Sequence, residues 1–325
     1  MLSKAKMIME AIRQLPRYTV NYSLRFVFYT SLCKLFNYER SKSDFSYYVM
    51  SKRRDEVKKY LFDKYQNIIM KYNNIDDKGS ESNVNGNIWI FWWQGKESAP
   101  PIVNRCVLSI KRNSGNREVI MLDRYNFKDY VKVPCFILDK VNSGIITKNQ
   151  FANILRVMLL AEHGGVWLDA TIFVSRKIDD EVFNHNFYSK KRYLGDKGKF
   201  DYAKWSTYFL AGAKGNILFS FLRDCYFLHW EKENRQIDYF LFDYTILIAY
   251  ESIPRIREMI DNVPYNNPES LTLQKMLDQK YDENLFTEIQ QETYLHKLSW
   301  KKEHSCFLNN NEREMTFYGY VMKNS

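Results

Sequence analysis

The sequence predicts an α/β domain built on a mostly parallel, Rossmann-like sheet, preceded by a basic helical segment. Three observations carry that reading. After residue 86, apolar strands alternate with helical patterns, as in βαβ units. A polar stretch from Asn73 to Asn87, rich in Asn, Asp, Ser and Gly, separates this part from what precedes it. The chain of 325 residues, 45% hydrophobic and 26% charged with only 12 Gly and 7 Pro, is globular in composition and long enough for one large domain plus an accessory segment. The expected division is 1–85 and 86–325.

The elements follow in order. Residues 5–15 read as a short amphipathic helix stopped by Pro16. Val57, Tyr60, Leu61, Tyr65, Ile68 and Ile69 recur at helical spacing with Lys on the other face. Beyond the polar boundary, Asn87–Trp93 is an apolar strand ending at the turn signal Gln94-Gly95. Val103–Ile110 reads as a helix, and Glu118–Asp123 as a second strand ending on a carboxylate. Ligands of parallel sheets bind at the carboxyl ends of the strands, where Gln94, Gly95 and Asp123 fall.

Thr147-Lys148-Asn149-Gln150 is a capping box. The helix it starts has an apolar face of Phe151, Ile154, Leu155, Met158 and Leu159, and Asn153 and Arg156 lie together on the other face, where the core does not require them. Gly164-Gly165 ends the helix. A strand over Val166–Val174 then alternates so that Asp169 and Thr171 project side by side. A carboxylate in an apolar strand is costly without a partner. It either pairs with backbone or a buried Arg, or it faces a cation or a metal–phosphate complex. Further on, Thr207–Ala211 is a strand candidate and 216–230 an amphipathic helix. Asp238–Tyr244 sets two carboxylates, Asp238 and Asp243, in an aromatic run, and His296–Lys302 is a compact group of donors.

Charge is unevenly placed. Residues 1–54 carry eleven Lys/Arg and three acids, so they hold a net +8 of the chain's +10. Aromatics lie among these cations: Tyr18, Tyr22, Phe26, Phe28, Tyr29, Phe36 and Tyr38. Such a segment is a helical arm packed on the domain with solvated cations, a membrane-surface element, or a single-strand nucleic-acid binder. The third reading leaves Asp169 and the Gly-Gly turn unexplained. The best local apolar stretch, Phe26–Cys33, is eight residues long and ends at Lys34, far short of the roughly 18 residues of a membrane span. Glu10, Arg13 and Pro16 break up any signal-peptide core. Five scattered Cys with no CxxC pair exclude a zinc ribbon and a disulfide framework and suit a reducing compartment.

Trp92-Trp93-Gln94-Gly95 at a strand end, a helix bearing Asn153 and Arg156, and Gly164-Gly-Val-Trp-Leu-Asp-Ala-Thr171 together resemble the capsular polysaccharide synthesis protein family, related to glycosyltransferase family 32. The resemblance runs from about Asn87 to Lys302. It implies a GT-A-like fold and retaining transfer of a sugar from a nucleotide-sugar, of UDP type, to a lipid-linked saccharide acceptor. It further implies a bacterial cytoplasmic protein, peripheral on anionic membrane at the inner face of the cell membrane, with no nucleic-acid partner. On this analogy Trp92 stacks on the nucleobase, Arg156 contacts diphosphate or donor sugar, Asp169 belongs to an Asp-x-Asp element for ribose and Mn²⁺ or Mg²⁺, and Trp300 closes over the diphosphate. The donor set is Trp92, Gln94, Gly95, Asp123, Asn153, Arg156, Gly165, Asp169, Lys297, Trp300 and Lys301. Asp169, Arg156 and Asp243 form the catalytic group, and Asp169, Thr171 and His296 the metal group. Two positions depart from the pattern. Asn153 stands where the related families have Asp, and Thr171 replaces the second Asp of Asp-x-Asp. Either His296 or a carboxylate (Asp238 or Asp243) completes a metal site, or Lys297 and Lys301 neutralise the diphosphate without metal. The departures also leave room for an inactive scaffold of the same fold.

Overall fold

The computed structural model describes residues 22–36, 43–75, 86–191, 204–310 and 313–323. The helix expected over 5–15 and most of the polar boundary lie outside the described residues.

A five-stranded sheet organises the chain, in the order β2-β1-β3-β6-β5. Its strands are β1 (Ile88–Phe91), β2 (Val119–Leu122), β3 (Gly165–Leu168), β5 (Phe187–Ser189) and β6 (Phe209–Gly212). β1 pairs in parallel with both β2 and β3, whereas β6 runs antiparallel to β3 and to β5. Four strands therefore share one direction and β6 alone opposes them. β1 and β3 are buried along their whole length. That is why their sequences are continuous apolar runs rather than alternating ones.

The strand expected over Val166–Val174 is two strands. β3 ends at Leu168, the chain turns through Asp169–Thr171, and β4 (Ile172–Val174) pairs antiparallel with β7 (Leu295–Lys297) in a separate two-stranded sheet. The Ile172 N–H closes the turn on the Asp169 carbonyl at 2.9 Å. Apolar residues flank the turn on both sides because each side feeds a different sheet, which makes two short strands read as one long one.

Three helices lead into the domain: α1 (Leu24–Phe36), α2 (Asp44–Lys64) and α3 (Gln66–Asn73). Then come α4 (Pro101–Asn113) between β1 and β2, α5 (Lys148–Glu162) between β2 and β3, α6 (Ile217–Lys232) and α7 (Leu241–Ser252). Only half of the capping box forms: Thr147 Oγ1 accepts from the Gln150 N–H at 3.3 Å, whereas the Gln150 side-chain oxygen is buried and accepts no hydrogen bond among the described residues. The amphipathic reading of α5 needs correction. The helix packs on β3 and β6 on one side and on α6 on another, so Asn153 and Arg156, 8% and 5% exposed, are buried rather than surface residues.

The first three helices share the domain's core. Val57, Leu61, Tyr65, Ile69 and Tyr72 belong to the same buried cluster as the sheet, with α2 against α7 and α3 against α6. Part of their basic charge is spent at this seam. Arg53 pairs with Asp238, Lys64 with Glu233 and Lys71 with Asp224. Among the described residues, no helix is long and apolar enough to cross a membrane.

Candidate functional site

The register of β1 against β2 and β3 sets Phe91, Leu122 and Leu168 toward one edge of the sheet, so Trp92 and Asp169 leave their strands at that same carboxyl edge. A cleft of about 570 Å³ opens there. Of the residues expected from sequence, Trp92, Asn153, Arg156, Asp169, Thr171, Asp243, Lys297, Trp300 and Lys301 line it. They come from five separate stretches of chain.

Asp169 is the centre. Its Oδ1 accepts from Arg156 Nη2 at 2.9 Å and from Trp167 Nε1 at 3.1 Å, and its Oδ2 accepts from Lys297 Nζ at 2.8 Å. The same ammonium donates to Thr171 Oγ1 at 2.8 Å. Burial alone would raise the Asp169 carboxyl, but Lys297 and Arg156 together override it and hold the group down at about 2. One carboxylate therefore faces two cations, and 28% of its side chain stays open to the cleft. Burial pulls Arg156 below its ordinary range while Asp169 opposes that pull. The guanidinium also lies against the Trp167 and Phe242 rings, at 4.9 Å and 5.1 Å. Among the described residues its Nε–H has no acceptor.

At the rim, Trp92 and Trp300 meet edge to face with centroids 5.7 Å apart. Trp300 is about half exposed, whereas Trp92 is half-buried. Asp243 sits in the first turn of α7 and accepts from Trp205 Nε1 at 3.2 Å.

Six expected residues lie elsewhere. Gln94, Gly95 and Asp123 are near the correct edge but not in the cleft lining. Asp123 is occupied as a turn cap, its Oδ1 accepting from the Tyr125 and Asn126 N–H groups at 2.7 and 3.0 Å. Gly165 begins β3, at the end of the strand remote from the cleft. With φ of +95° and an added Cβ at 2.3 Å from the Asn87 carbonyl oxygen, it is glycine to let β1 and β3 approach. His296 corrects the metal group most clearly. In β7 its neighbour Lys297 faces the cleft, so strand alternation turns His296 the other way, between Phe173 and Phe286 and fully buried. Burial drives its imidazole down to about 3. Asp238 also leaves the set, paired with Arg53 at the helical seam.

The residues present do not fit a divalent metal. No group of three or more His, Cys, Asp or Glu among the described residues could hold one. Both Asp169 oxygens already accept from cations, and an ammonium lies 2.8 Å from each of the two atoms a metal would bridge.

Sequence reasoning missed Trp167 and Tyr208. Trp167 shares the strand face of Asp169, two residues before it, so period-two alternation contained the signal. Tyr208 carries the Lys297 ammonium at 5.6 Å from its ring, which only the fold brings about.

A cation-rich cleft at the carboxyl edge of an α/β sheet, with indoles at its mouth, is a site for an anionic ligand with an aromatic or sugar portion. The chain belongs to the capsular polysaccharide synthesis protein family, whose model matches residues 38–321. It is also 29% identical over 108 residues to the O-glycosyltransferase braB of Annulohypoxylon truncatum, a stretch covering 30% of this chain and 25% of that protein. The chain thus spans about a quarter of the length of that curated relative. Among solved structures it is similar to the PaToxG glycosyltransferase (13% identity, 63% of this chain and 82% of that one, TM-score 0.36). It is similar also to the bifunctional glycosyltransferase WbbM in its apo form (12% identity, 99% and 71%, TM-score 0.36).

Proposed function

We propose that the protein is a glycosyltransferase of surface polysaccharide synthesis. It moves a sugar from a nucleotide-sugar of UDP type to a lipid-linked saccharide, with retention at the anomeric carbon. The observation that carries this is the Arg156–Asp169–Lys297 cluster at the floor of a cleft rimmed by Trp92 and Trp300. The base stacks at the Trp92 rim and the diphosphate lies over the cations of the floor. Asn153 hydrogen-bonds a sugar hydroxyl, and Asp243 stabilises the positive charge that grows at the anomeric carbon. The bond from that carbon to the β-phosphate oxygen breaks, its electron pair leaving with the diphosphate. The acceptor oxygen forms the new bond on the same face, and its proton passes to the departing phosphate.

Leu24, Phe28, Phe45, Tyr47 and Tyr48, on α1 and α2, are each more than half exposed. With the neighbouring Arg25 and Lys52 they suit the interface of an anionic membrane, where a lipid-linked acceptor resides. The test is slow hydrolysis of UDP-, GDP- and CDP-sugars by the full chain. Release of UDP from one sugar donor supports the reading, and no release from any of the three classes contradicts it.

A further inference from the structure

We infer that Lys297 is the built-in cation of this site, standing where a divalent metal would otherwise bridge Asp169 and Thr171, so that donor binding and transfer proceed without metal. This rests on the nucleotide-sugar reading above and deepens it by naming what neutralises the diphosphate.

β7 fixes the direction of the Lys297 side chain. Its pairing with β4 sets Lys297 opposite Ile172, one residue past Thr171, and the Leu298 N–H donates to the Thr171 carbonyl at 2.9 Å. The Lys297 N–H is fixed in turn by the Ser270 carbonyl at 2.7 Å. Backbone on both sides thus aims this side chain across the Asp169–Thr171 turn. Its ammonium makes 2.8 Å contacts to a carboxylate oxygen and a hydroxyl oxygen, the two ligands a metal would take from this turn.

Charge counting points the same way. A metal pair of aspartates would bring two negative charges for a dication; here Thr171 supplies none, and Asp169 is already matched by Arg156. Adding a dication beside two cations and one anion is repulsive. The same surplus of positive charge suits a diphosphate directly, and Lys301 adds to it at the cleft wall. In the transfer step, as the C1–O bond breaks and its electron pair passes to the β-phosphate oxygen, Lys297 and Arg156 meet the charge that develops there.

The test is UDP binding by calorimetry in EDTA and in Mn²⁺, with Mn²⁺ alone followed by electron paramagnetic resonance. The chains are wild type, Lys297→Ala, Lys297→Arg and the double variant Lys297→Ala/Thr171→Asp. Wild type is expected to bind UDP with the same affinity, within about twofold, in EDTA and in Mn²⁺, and to leave the free Mn²⁺ signal unchanged. Lys297→Ala loses roughly tenfold or more in affinity, as expected for a lost charged contact to phosphate. Lys297→Arg retains the affinity, which separates lost charge from lost folding. The double variant binds Mn²⁺ and recovers affinity only with it. If UDP affinity in wild type appears only with Mn²⁺, the inference is overturned while the donor reading stands. If UDP, GDP and CDP bind none of the four chains under either condition, both fall.

Discussion

Two Arg–Asp pairs in this molecule have opposite surroundings. At the helical seam, Arg53 meets Asp238, whose side chain is 6% exposed and whose other oxygen accepts the Phe240 N–H. At the sheet edge, Arg156 meets Asp169, which stays open to a cleft and carries a second cation, Lys297. The seam pair joins two layers of helices and lines a cavity of its own, of about 580 Å³, but its carboxylate is almost fully covered. The edge carboxylate is far more open to its cleft, at 28% exposure, and is bonded by two cations rather than one. Neither an ion pair nor a neighbouring cavity therefore marks a working site; an accessible carboxylate that holds two cations does.

The largest expected effect bears on the edge pair. Arg156→Lys should lower turnover by roughly a hundred- to a thousandfold, because an ammonium cannot grip phosphate oxygens with a planar fork. It should also cost about 2 kcal/mol of stability, since the guanidinium is buried between rings and carboxylate. Steady-state kinetics with a denaturant titration measures both. A fully active, equally stable Lys variant would put Arg156 in the same class as Arg53.

Trp92→Ala comes next. Loss of a stacking partner worth about 1–3 kcal/mol should weaken UDP binding roughly ten- to a hundredfold without unfolding the chain. Unchanged affinity in calorimetry would move the base-binding role toward Trp300, its edge-to-face partner.

Acid should loosen both regions, in two windows. His296 and His229 are buried, and burial drives each to about 3, so both bind protons only in the unfolded chain over that range. Their contribution is complete above the unfolded value of about 6.5 and declines by about 1.4 kcal/mol per pH unit per imidazole toward pH 3. Asp169, depressed by its two cations, holds its contribution above about pH 4 and loses it as pH falls toward 2. Denaturant midpoints from pH 8 to 4 should fall only below about 6.5. A midpoint that is flat down to pH 4.5 would contradict the buried neutral imidazoles.

The smallest effect is at the outer face of the helical layer. Phe28→Glu with Tyr48→Glu should reduce sedimentation with phosphatidylserine vesicles severalfold while leaving hydrolysis of free donor unchanged. Equal sedimentation would remove the membrane reading and leave these helices a purely structural layer.

Much of the frame could be read from sequence, for physical reasons that also explain the failures. The Thr147 N-cap of α5 and the apolar runs of β1 and β2 are local signals, and local structure follows them. The Asp169–Thr171 turn was hidden because its flanks are apolar for two different sheets. Arg156 looked like a surface residue because periodicity shows one buried face, and α5 has neighbours on more than one side. The error was of the opposite kind at His296, and its neighbour Lys297 shows why. Both looked like cleft donors in sequence, but β7 is only three residues long, and its alternation sends one into the core and the other to the carboxylate. The pairing of Lys297 with Asp169 spans 128 residues, so no window along the chain could show it.

The most direct test sets the two pairs against each other. Asp169→Asn and Asp238→Ala each strip a carboxylate from an arginine that is buried (Arg156) or half-buried (Arg53), so each should lower stability by a similar amount, on the order of 3 kcal/mol. Release of UDP from the active sugar donor is then measured for both, at a temperature where both remain folded. The expected result is a rate close to wild type for Asp238→Ala and a loss of at least about a hundredfold for Asp169→Asn. Comparable rates in the two variants, whether both lost or both kept, would contradict the assignment of chemistry to the sheet edge.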